Sequence, residues 1–554
     1  MYIIEYCEEK GMKKIKDILL YTKLYGLWVS PSILILGLVT LNSFNQKITL
    51  QSVFVLLIFG IAFQALVWSD NVARKSRGQN VERMDAVNLF KTDEYSFDDG
   101  RERAKNPPVN PKMLTVTPYG HFIFGYPIGS KDYVAKTAAS EGHLLLVGGS
   151  GSWKTSCLMS SIAALKYGNN GEASANYIVV DPKGEITEKL VKQNDGTIIF
   201  APSDRKTWGY NPFYCLDEDS TEQEVYATMK DICAALLPIG SGDMAFWQTL
   251  ANTITTGFLL YEWEYKKLGT LPEMIADIMS KPITEMIKEV TDKARPGSKC
   301  YLLIASFVDM PTETVGSISA NMQALAPYYL DSDIVYALSC NKRQFTPEDL
   351  EAHSVHICIQ LKDMERWSSV ILLLIQQTIS YCLALPDASQ DPKRKPIYII
   401  FEELVAVLDS LHAAMPPIIV TGARFLRSKH VYLCLIAQSL SGLLAVSGGN
   451  KDMIEDLESN MAYILLFDAT TPDTIRMTSD FIGTYSEKHV SWSGSGVNKQ
   501  QQISYSEAPI MRASDLLVMG GSDKCILISR MSGYNLLEKA AIWKDPILKK
   551  HLNT

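Results

Sequence analysis

The sequence predicts an α/β fold with a mainly parallel sheet, interrupted by an all-helical insertion and preceded by two membrane-spanning helices. Three observations lead there. Short apolar runs of strand length alternate with helix-length segments from Leu144 onward. Between about 219 and 349 the apolar residues recur only at helical spacing. Two stretches near the N-terminus, Leu24 to Gln46 and Ile48 to Ser69, contain no charged residue.

Each charge-free stretch matches the roughly 20 residues that cross a bilayer. Only Lys47 separates them; lysines precede the first, and Arg74, Lys75 and Arg77 follow the second. Basic outer ends place both termini in the cytoplasm by the positive-inside rule. The expected anchor is residues 1–75, with helices at about 24–45 and 48–69. A buried helical hairpin is the soluble alternative. Residues 76–112, polar and charged, read as a linker.

Composition narrows the class. The chain has 554 residues, 47% hydrophobic and 21% charged, which suits several cored domains rather than disorder. The net charge of −8 argues against non-specific coating of nucleic acid, although a local basic channel is compatible with it. Ten cysteines are scattered without a Cys-x-x-Cys pair, the pattern of reduced thiols.

The sheet begins near Met113 and reaches its first buried strand at Leu144 to Val147. Gly148, Gly149, Ser150, Gly151, Ser152, Trp153, Lys154, Thr155 and Ser156 follow, and then a helical alternation. Strand, Gly-rich loop, Lys-Thr and helix form the layout of a phosphate-binding P-loop, in which backbone N–H groups and a helix N-terminus hold the phosphate. Lys154 would reach the β- and γ-phosphates of ATP, and Thr155 would hold Mg²⁺. Trp153 stands where the pattern has glycine, which is usual there because the backbone passes close to phosphate. If the indole holds the loop wide, Trp153→Gly raises affinity or turnover.

Further strands are expected at Tyr177 to Val180, Thr197 to Phe200, Val355 to Leu361, Ile397 to Phe401, Val431 to Ile436, Tyr463 to Phe467 and Cys525 to Ser529. Residues 113–218 and 350–554 thus make one nucleotide-binding domain around a helical domain at 219–349. Residues 487–505, rich in Ser, Gly, Gln and Asn, read as a mobile loop. The strand Ile397 to Phe401 ends in Glu402-Glu403, a Walker B pattern: Glu402 for Mg²⁺, Glu403 as the base that activates water. The strand at Val431 ends in Gln438-Ser439, where an amide beside the γ-phosphate can sense hydrolysis. Arg424 and Arg427 lie just upstream, and either could reach a neighbouring subunit's nucleotide.

With these motifs the chain resembles the type IV coupling proteins of conjugation and type IV secretion, the TraG/TraD-like group. The resemblance rests on the two-span N-terminus, His143 before the P-loop strand, Asp181-Pro182-Lys183-Gly184-Glu185, and Tyr210-Asn211-Pro212-Phe213. It extends to Phe246-Trp247 with Ala251, Phe345 with Asp349-Leu350, Glu402-Glu403, Gln438-Ser439, and Ala508 to Met511 with Asp515-Leu516. It implies a RecA-like P-loop ATPase that assembles as a homo-hexamer in the cell membrane, inner or plasma, with the ATPase domain in the cytoplasm. It implies ATP and Mg as cofactors and membrane lipid and the secretion channel as partners. The cargo would be relaxase-bound single-stranded DNA or protein effectors, with the helical domain reading it. Asp181, Lys183 and Glu185 join the site by this resemblance. Trp153 and Glu402 depart from the family pattern; Lys154, Thr155 and Glu403 keep it.

Two other functions fit parts of the sequence. A non-hydrolysing docking receptor would explain Trp153. An FtsK-like DNA translocase would add a helical DNA-reading domain after the sheet.

Overall fold

The computed structural model describes residues 108–136, 142–168, 171–192, 195–240, 244–339, 343–410, 417–469, 471–493, 500–519 and 521–553. The expected spans at 24–45 and 48–69, and the linker as far as residue 107, lie outside the described residues.

The strands, in chain order, begin with β1 (Leu114–Thr115), β2 (Phe122–Pro127), β3 (Tyr133–Lys136), β4 (His143–Val147), β5 (Asn176–Asp181) and β6 (Ile198–Phe200). Two short ones follow, β7 (Gly209–Tyr210) and β8 (Gln344–Phe345), then β9 (Val355–Cys358), β10 (Ile397–Phe401), β11 (Val431–Ala437) and β12 (Met461–Leu466). The last four are β13 (Thr484–Ser493), β14 (Gln500–Pro509), β15 (Lys524–Ser529) and β16 (Gly533–Glu538).

Twelve strands form one sheet in the order β1-β3-β2-β16-β15-β12-β4-β11-β10-β5-β9-β6. From β12 to β6 every neighbouring pair is parallel; from β15 to β1 every pair is antiparallel. The sheet is therefore parallel where the motifs fall and antiparallel along one flank. The parallel strands are apolar throughout because both faces are covered. Leu145, Ile178, Ile399 and Leu433 face one core, shared with Trp367 and Val370 of the helix Met364–Ala384. Leu144, Tyr177, Ile400 and Cys434 face the other, shared with Leu158 and Ile162 of the helix Lys154–Tyr167. Period-two alternation thus survives in the burial pattern although hydropathy hides it.

Among the described residues, one helix is long and apolar enough to cross a membrane, Met364–Ala384, and 67% of its most apolar window is buried. Its apolarity is that of a core helix.

Between β7 and β8 the described elements are helical, from Glu222–Leu236 to Ser332–Ser339. The interval 219–349 is not free of strand, however: β8 pairs in parallel with β7, Gly209↔Gln344 and Tyr210↔Phe345. Two residues are too few to leave a periodic signal. The helices share one continuous core with the sheet, since Met229, Ile254, Phe258 and Ile304 join the same cluster as Leu145 and Trp367.

Residues 487–493 and 500–505 are strand rather than the mobile loop their composition suggested, and 494–499 lie outside the described residues. β13 and β14 form an antiparallel hairpin in unbroken register from Thr484↔Pro509 to Ser493↔Gln500. Serine and glutamine depress the hydropathy, but Val490, Trp492, Ile503 and Tyr505 carry the strand preference. The end of the expected linker is also part of the fold. Asn110 caps the turn Pro111–Met113, and its Nδ2 donates to the Met531 carbonyl at 3.1 Å.

Candidate functional site

In a parallel α/β sheet the loops after the strands gather at one edge. Here the register brings five strand ends to that edge. Phe401 pairs with Val180 and with Leu435; Ala437 pairs with Val147, and Val147 with Leu466. The next residues are Glu402-Glu403 after β10, Gln438 after β11, Gly148 after β4 and Asp468 two residues past β12, with Asp181 closing β5.

The loop from Gly148 to Trp153 is built by close approach and left-handed backbone. A Cβ on Gly148 would lie 2.8 Å from Phe467 Cβ and 2.8 Å from Ser152 Oγ, so only glycine fits. Gly151 has φ +81°. Trp153 has φ 73° and ψ 17° and caps the helix Lys154–Tyr167. Glycine is usual at this place because the backbone is left-handed, and Trp153 adopts that conformation at a cost of about 1–2 kcal/mol. Its indole meets the Trp543 ring edge to face at 5.2 Å, and Lys544 Nζ lies 4.3 Å from its centroid. The indole thus packs on the C-terminal segment. That segment is fastened to the P-loop helix, with Ile542 N donating to Ser156 O at 3.1 Å and Ser160 Oγ to Ala540 O at 2.6 Å.

Lys154 is buried, and its ammonium donates to the carbonyls of Gly148 and, at 2.8 Å, Gly149. Burial pulls its pKa down, against the pull of Glu403 and Asp468. Thr155 Oγ1 donates to Glu402 Oε1 at 2.5 Å, so the P-loop and the Walker B strand touch through the two expected Mg²⁺ residues. Burial pushes the Glu402 carboxyl up to about 7, and the neighbouring Asp181 carboxyl adds to the shift. Among the described residues, the buried Glu402 Oε2 and Asp181 Oδ1 receive no donor beyond what the two facing carboxyls can share. Two carboxylates and a hydroxyl, with two oxygens lacking any other donor, suit a hard divalent cation. Among the described residues no three His, Cys, Asp or Glu converge, so such a cation would complete its shell with water or phosphate oxygens.

Glu403 is held from two sides. Gln438 Nε2 donates to its Oε2 at 3.0 Å, and Lys183 Nζ lies 3.3 Å from its Oε1. Its backbone is left-handed, φ 69°, a strained state of the kind found at active sites. Lys183 therefore belongs to the same cluster as Glu403.

Two expected residues stand apart. Glu185 is partly exposed and pairs with Lys189, 2.5 Å, along its own helix. Arg424 pairs with Asp456, 2.6 Å, at the opposite edge of the sheet. There Arg424, Arg427, Arg530, His143 and Asn460 line a cleft of about 370 Å³. Among the described residues, the ion pairs of Glu185 and Arg424 are with Lys189 and Asp456 and not with a P-loop residue.

Asp468 was not anticipated. Its Oδ1 accepts from Gly149 N at 2.7 Å, bracing the loop from the neighbouring strand. The signal was available, for Tyr463 to Asp468 is an apolar run ending in an acid, like Ile397 to Glu402.

Solved structures of similar fold include those of the bacterial conjugative coupling protein TrwB. An unbound monoclinic form matches with TM-score 0.57 at 14% identity, covering 80% of this chain and 91% of that one. TrwB with a non-hydrolysable ATP analogue, ADPNP, gives 0.56 at 14% identity, covering 81% and 92%. TrwB with ADP and Mg²⁺ gives 0.53 at 13%, covering 81% and 92%. No curated protein sequence matches the chain. The family described as "Type IV secretory system Conjugative DNA transfer" matches residues 102–554. That match spans the sheet, the helical segment and every strand-end motif, and the chain belongs to this family of type IV coupling proteins.

Proposed function

We propose that this protein is a membrane-anchored ATPase that recruits relaxase-bound single-stranded DNA, or protein effectors, to a type IV secretion channel and drives their transfer. The observation that carries the reading is the pair of contacts across the P-loop edge: Thr155 to Glu402, and Glu403 between Gln438 and Lys183. A Mg²⁺ ion there would offset phosphate charge and orient water. Thr155, Glu402 and Asp181 would hold it. Lys154, turned from the loop carbonyls, would bind phosphate oxygen. Glu403 would accept a proton from the attacking water, with Gln438 and Lys183 fixing its carboxylate. The nucleotide complexes of TrwB support ATP and Mg²⁺ as the cofactors.

The two N-terminal spans and a homo-hexamer are part of this proposal. In a ring, the arginine-lined edge of one subunit can face the P-loop edge of the next, which gives Arg424 or Arg427 a role in trans. The helical segment between β7 and β8 would read cargo, and membrane lipid would surround the anchor.

Steady-state hydrolysis by the full chain, with and without single-stranded DNA, tests the reading. Activity that disappears in Lys154→Ala supports the motor. Absence of activity in the unaltered protein, with nucleotide still bound, supports a docking receptor instead.

A further inference from the structure

Beneath the paired carboxyls runs a chain of buried polar groups that the roles above leave unused. His356 on β9 is the register partner of Val179 on β5, and Tyr177 lies two residues earlier on the same face of β5. Both side chains are fully buried. An imidazole in such a place is costly unless both nitrogens are bonded. Here they are: the Tyr177 hydroxyl lies 3.2 Å from Nε2, and Thr187 Oγ1 lies 2.9 Å from Nδ1. Thr187 in turn reaches Asp181, its Oγ1 and its backbone N each donating to Oδ2 at 2.9 Å. Cys358 Sγ approaches Thr187 Oγ1 at 2.8 Å.

Counting protons gives the chain a direction. Thr187 has one hydroxyl proton and gives it to Asp181, so its oxygen accepts from His356 and from the Cys358 thiol. Nδ1 of His356 therefore carries the proton, and Nε2 accepts from Tyr177. Burial pushes the imidazole pKa down to about 3, which keeps the ring neutral, and the hydrogen-bond count then sets the tautomer. Donation runs from Tyr177 to His356 to Thr187 to Asp181. At its end Oδ2 is held by two donors, while Oδ1, among the described residues, has no partner beyond the facing Glu402 carboxyl, whose Oε2 is in the same state. Asp181 and Glu402 follow register partners, Val180 and Phe401, on adjacent parallel strands.

We propose that Tyr177, His356 and Thr187 form a positioning relay that locks the Asp181 carboxylate with Oδ1 turned toward Glu402, fixing a two-carboxylate seat for the divalent cation. The inference rests on the reading of this edge as a cation and nucleotide site. His356 touches neither nucleotide nor cation; it acts through Thr187. Partners in this outer position typically alter metal affinity by about 10- to 100-fold.

The test uses Mn²⁺ as probe, followed by electron paramagnetic resonance in the full chain with a non-hydrolysable ATP analogue. Analogue affinity in EDTA is measured in parallel. His356→Leu should weaken Mn²⁺ binding about tenfold or more, with analogue affinity in EDTA unchanged. His356→Asn keeps an N–H where Nδ1 stands and should recover most of the loss. Thr187→Val, at a partly exposed position, removes the relay's final hydroxyl while the backbone N–H stays on Oδ2, and should reproduce the leucine result even if His356→Leu fails to fold. Unaltered Mn²⁺ affinity in Thr187→Val, or equal losses in the leucine and asparagine variants, overturns the relay. Failure of the unsubstituted protein to bind Mn²⁺ overturns the reading of the site, and the relay with it.

Discussion

Lys183 and Glu403, 220 positions apart in the chain, meet with Nζ 3.3 Å from Oε1. Two sequence elements that look independent, Asp181 to Glu185 and Glu402-Glu403, are therefore parts of one device. The lysine is about two-fifths exposed and the carboxylate is nearly buried. The pair adds little to stability, because an exposed ammonium is well screened. Its effect is on where the carboxylate points.

Lys183→Ala should accordingly lower turnover about tenfold while leaving nucleotide affinity near its original value, the pattern of a lost orienting contact. Glu403→Gln should abolish turnover and retain nucleotide binding, because the amide still meets Gln438 but takes up no proton. Paired measurements of kcat and nucleotide Kd check both. An equal rise in Kd for Lys183→Ala would assign the lysine to phosphate instead.

At Trp153 the backbone already has the conformation glycine would adopt. The left-handed cost of about 1–2 kcal/mol is offset by aromatic contact with Trp543, worth about 0.5–1.5 kcal/mol, and by Lys544 over the ring. Trp153→Gly loses both terms and should be nearly neutral in stability. Trp153→Ala keeps the strain and loses the packing, so it should be the less stable by about 1 kcal/mol in urea unfolding. Because glycine brings no new loop geometry, nucleotide affinity in Trp153→Gly should change by less than about threefold. A larger rise would restore the idea, suggested by the sequence, that the indole holds the loop wide.

What could be read from the sequence follows from where the information lies. β4, β5, β10 and β11 are short apolar runs ended by glycine, acid or amide, and that grammar predicted Gly148, Glu402 and Gln438 within a residue or two. The contacts between them depend on register, which no single run encodes. Lys183 with Glu403, and Asp468 with Gly149, needed the strand order. β7 and β8 were too short to show. β13 and β14 were masked by serine and glutamine, which alter hydropathy more than strand preference. Trp153 was read as a matter of space near phosphate, when its backbone angle is what glycine serves at that position.

The helical segment carries a pH dependence of its own. Glu262 is buried, and burial pushes its carboxyl up to about 7, although Lys266 lies 3.0 Å away. Lys266 also pairs with Asp277 and, at 3.5 Å, Glu289, so its charge is shared. A folded-state pKa above the unfolded value near 4.5 means the folded chain holds a proton that the unfolded chain releases. This contribution to stability is full below about pH 4.5 and is lost as pH rises through about 7. Glu262→Gln should flatten the decline between pH 5 and 8, leaving the variant more stable at pH 8 by on the order of 2 kcal/mol. Denaturant midpoints across that range check it, and an unchanged slope would show that another group titrates.

Asp468 offers the last prediction. Its carboxylate receives the Gly149 N–H at 2.7 Å, while Ser152 Oγ donates to the Gly149 carbonyl at 2.8 Å, so Gly149 is held through the peptide units on both its sides. The same carboxylate favours the charged form of Lys154, which burial opposes. Asp468→Ala leaves a partly buried N–H without its partner, a loss of about 1–3 kcal/mol, and removes a charge that supports the lysine. Asp468→Asn keeps an acceptor for Gly149 and removes only the charge. If bracing dominates, the asparagine variant binds nucleotide like the original protein and the alanine variant binds at least about tenfold more weakly. If the charge dominates, both lose affinity alike, and the loss grows as pH rises, because burial already pulls the Lys154 pKa down and Asp468 opposes that pull. Nucleotide Kd for the two variants at pH 7 and pH 9 separates these outcomes. The geometry favours bracing, because the carboxylate bonds to the loop backbone and Lys154 donates elsewhere, to the Gly148 and Gly149 carbonyls.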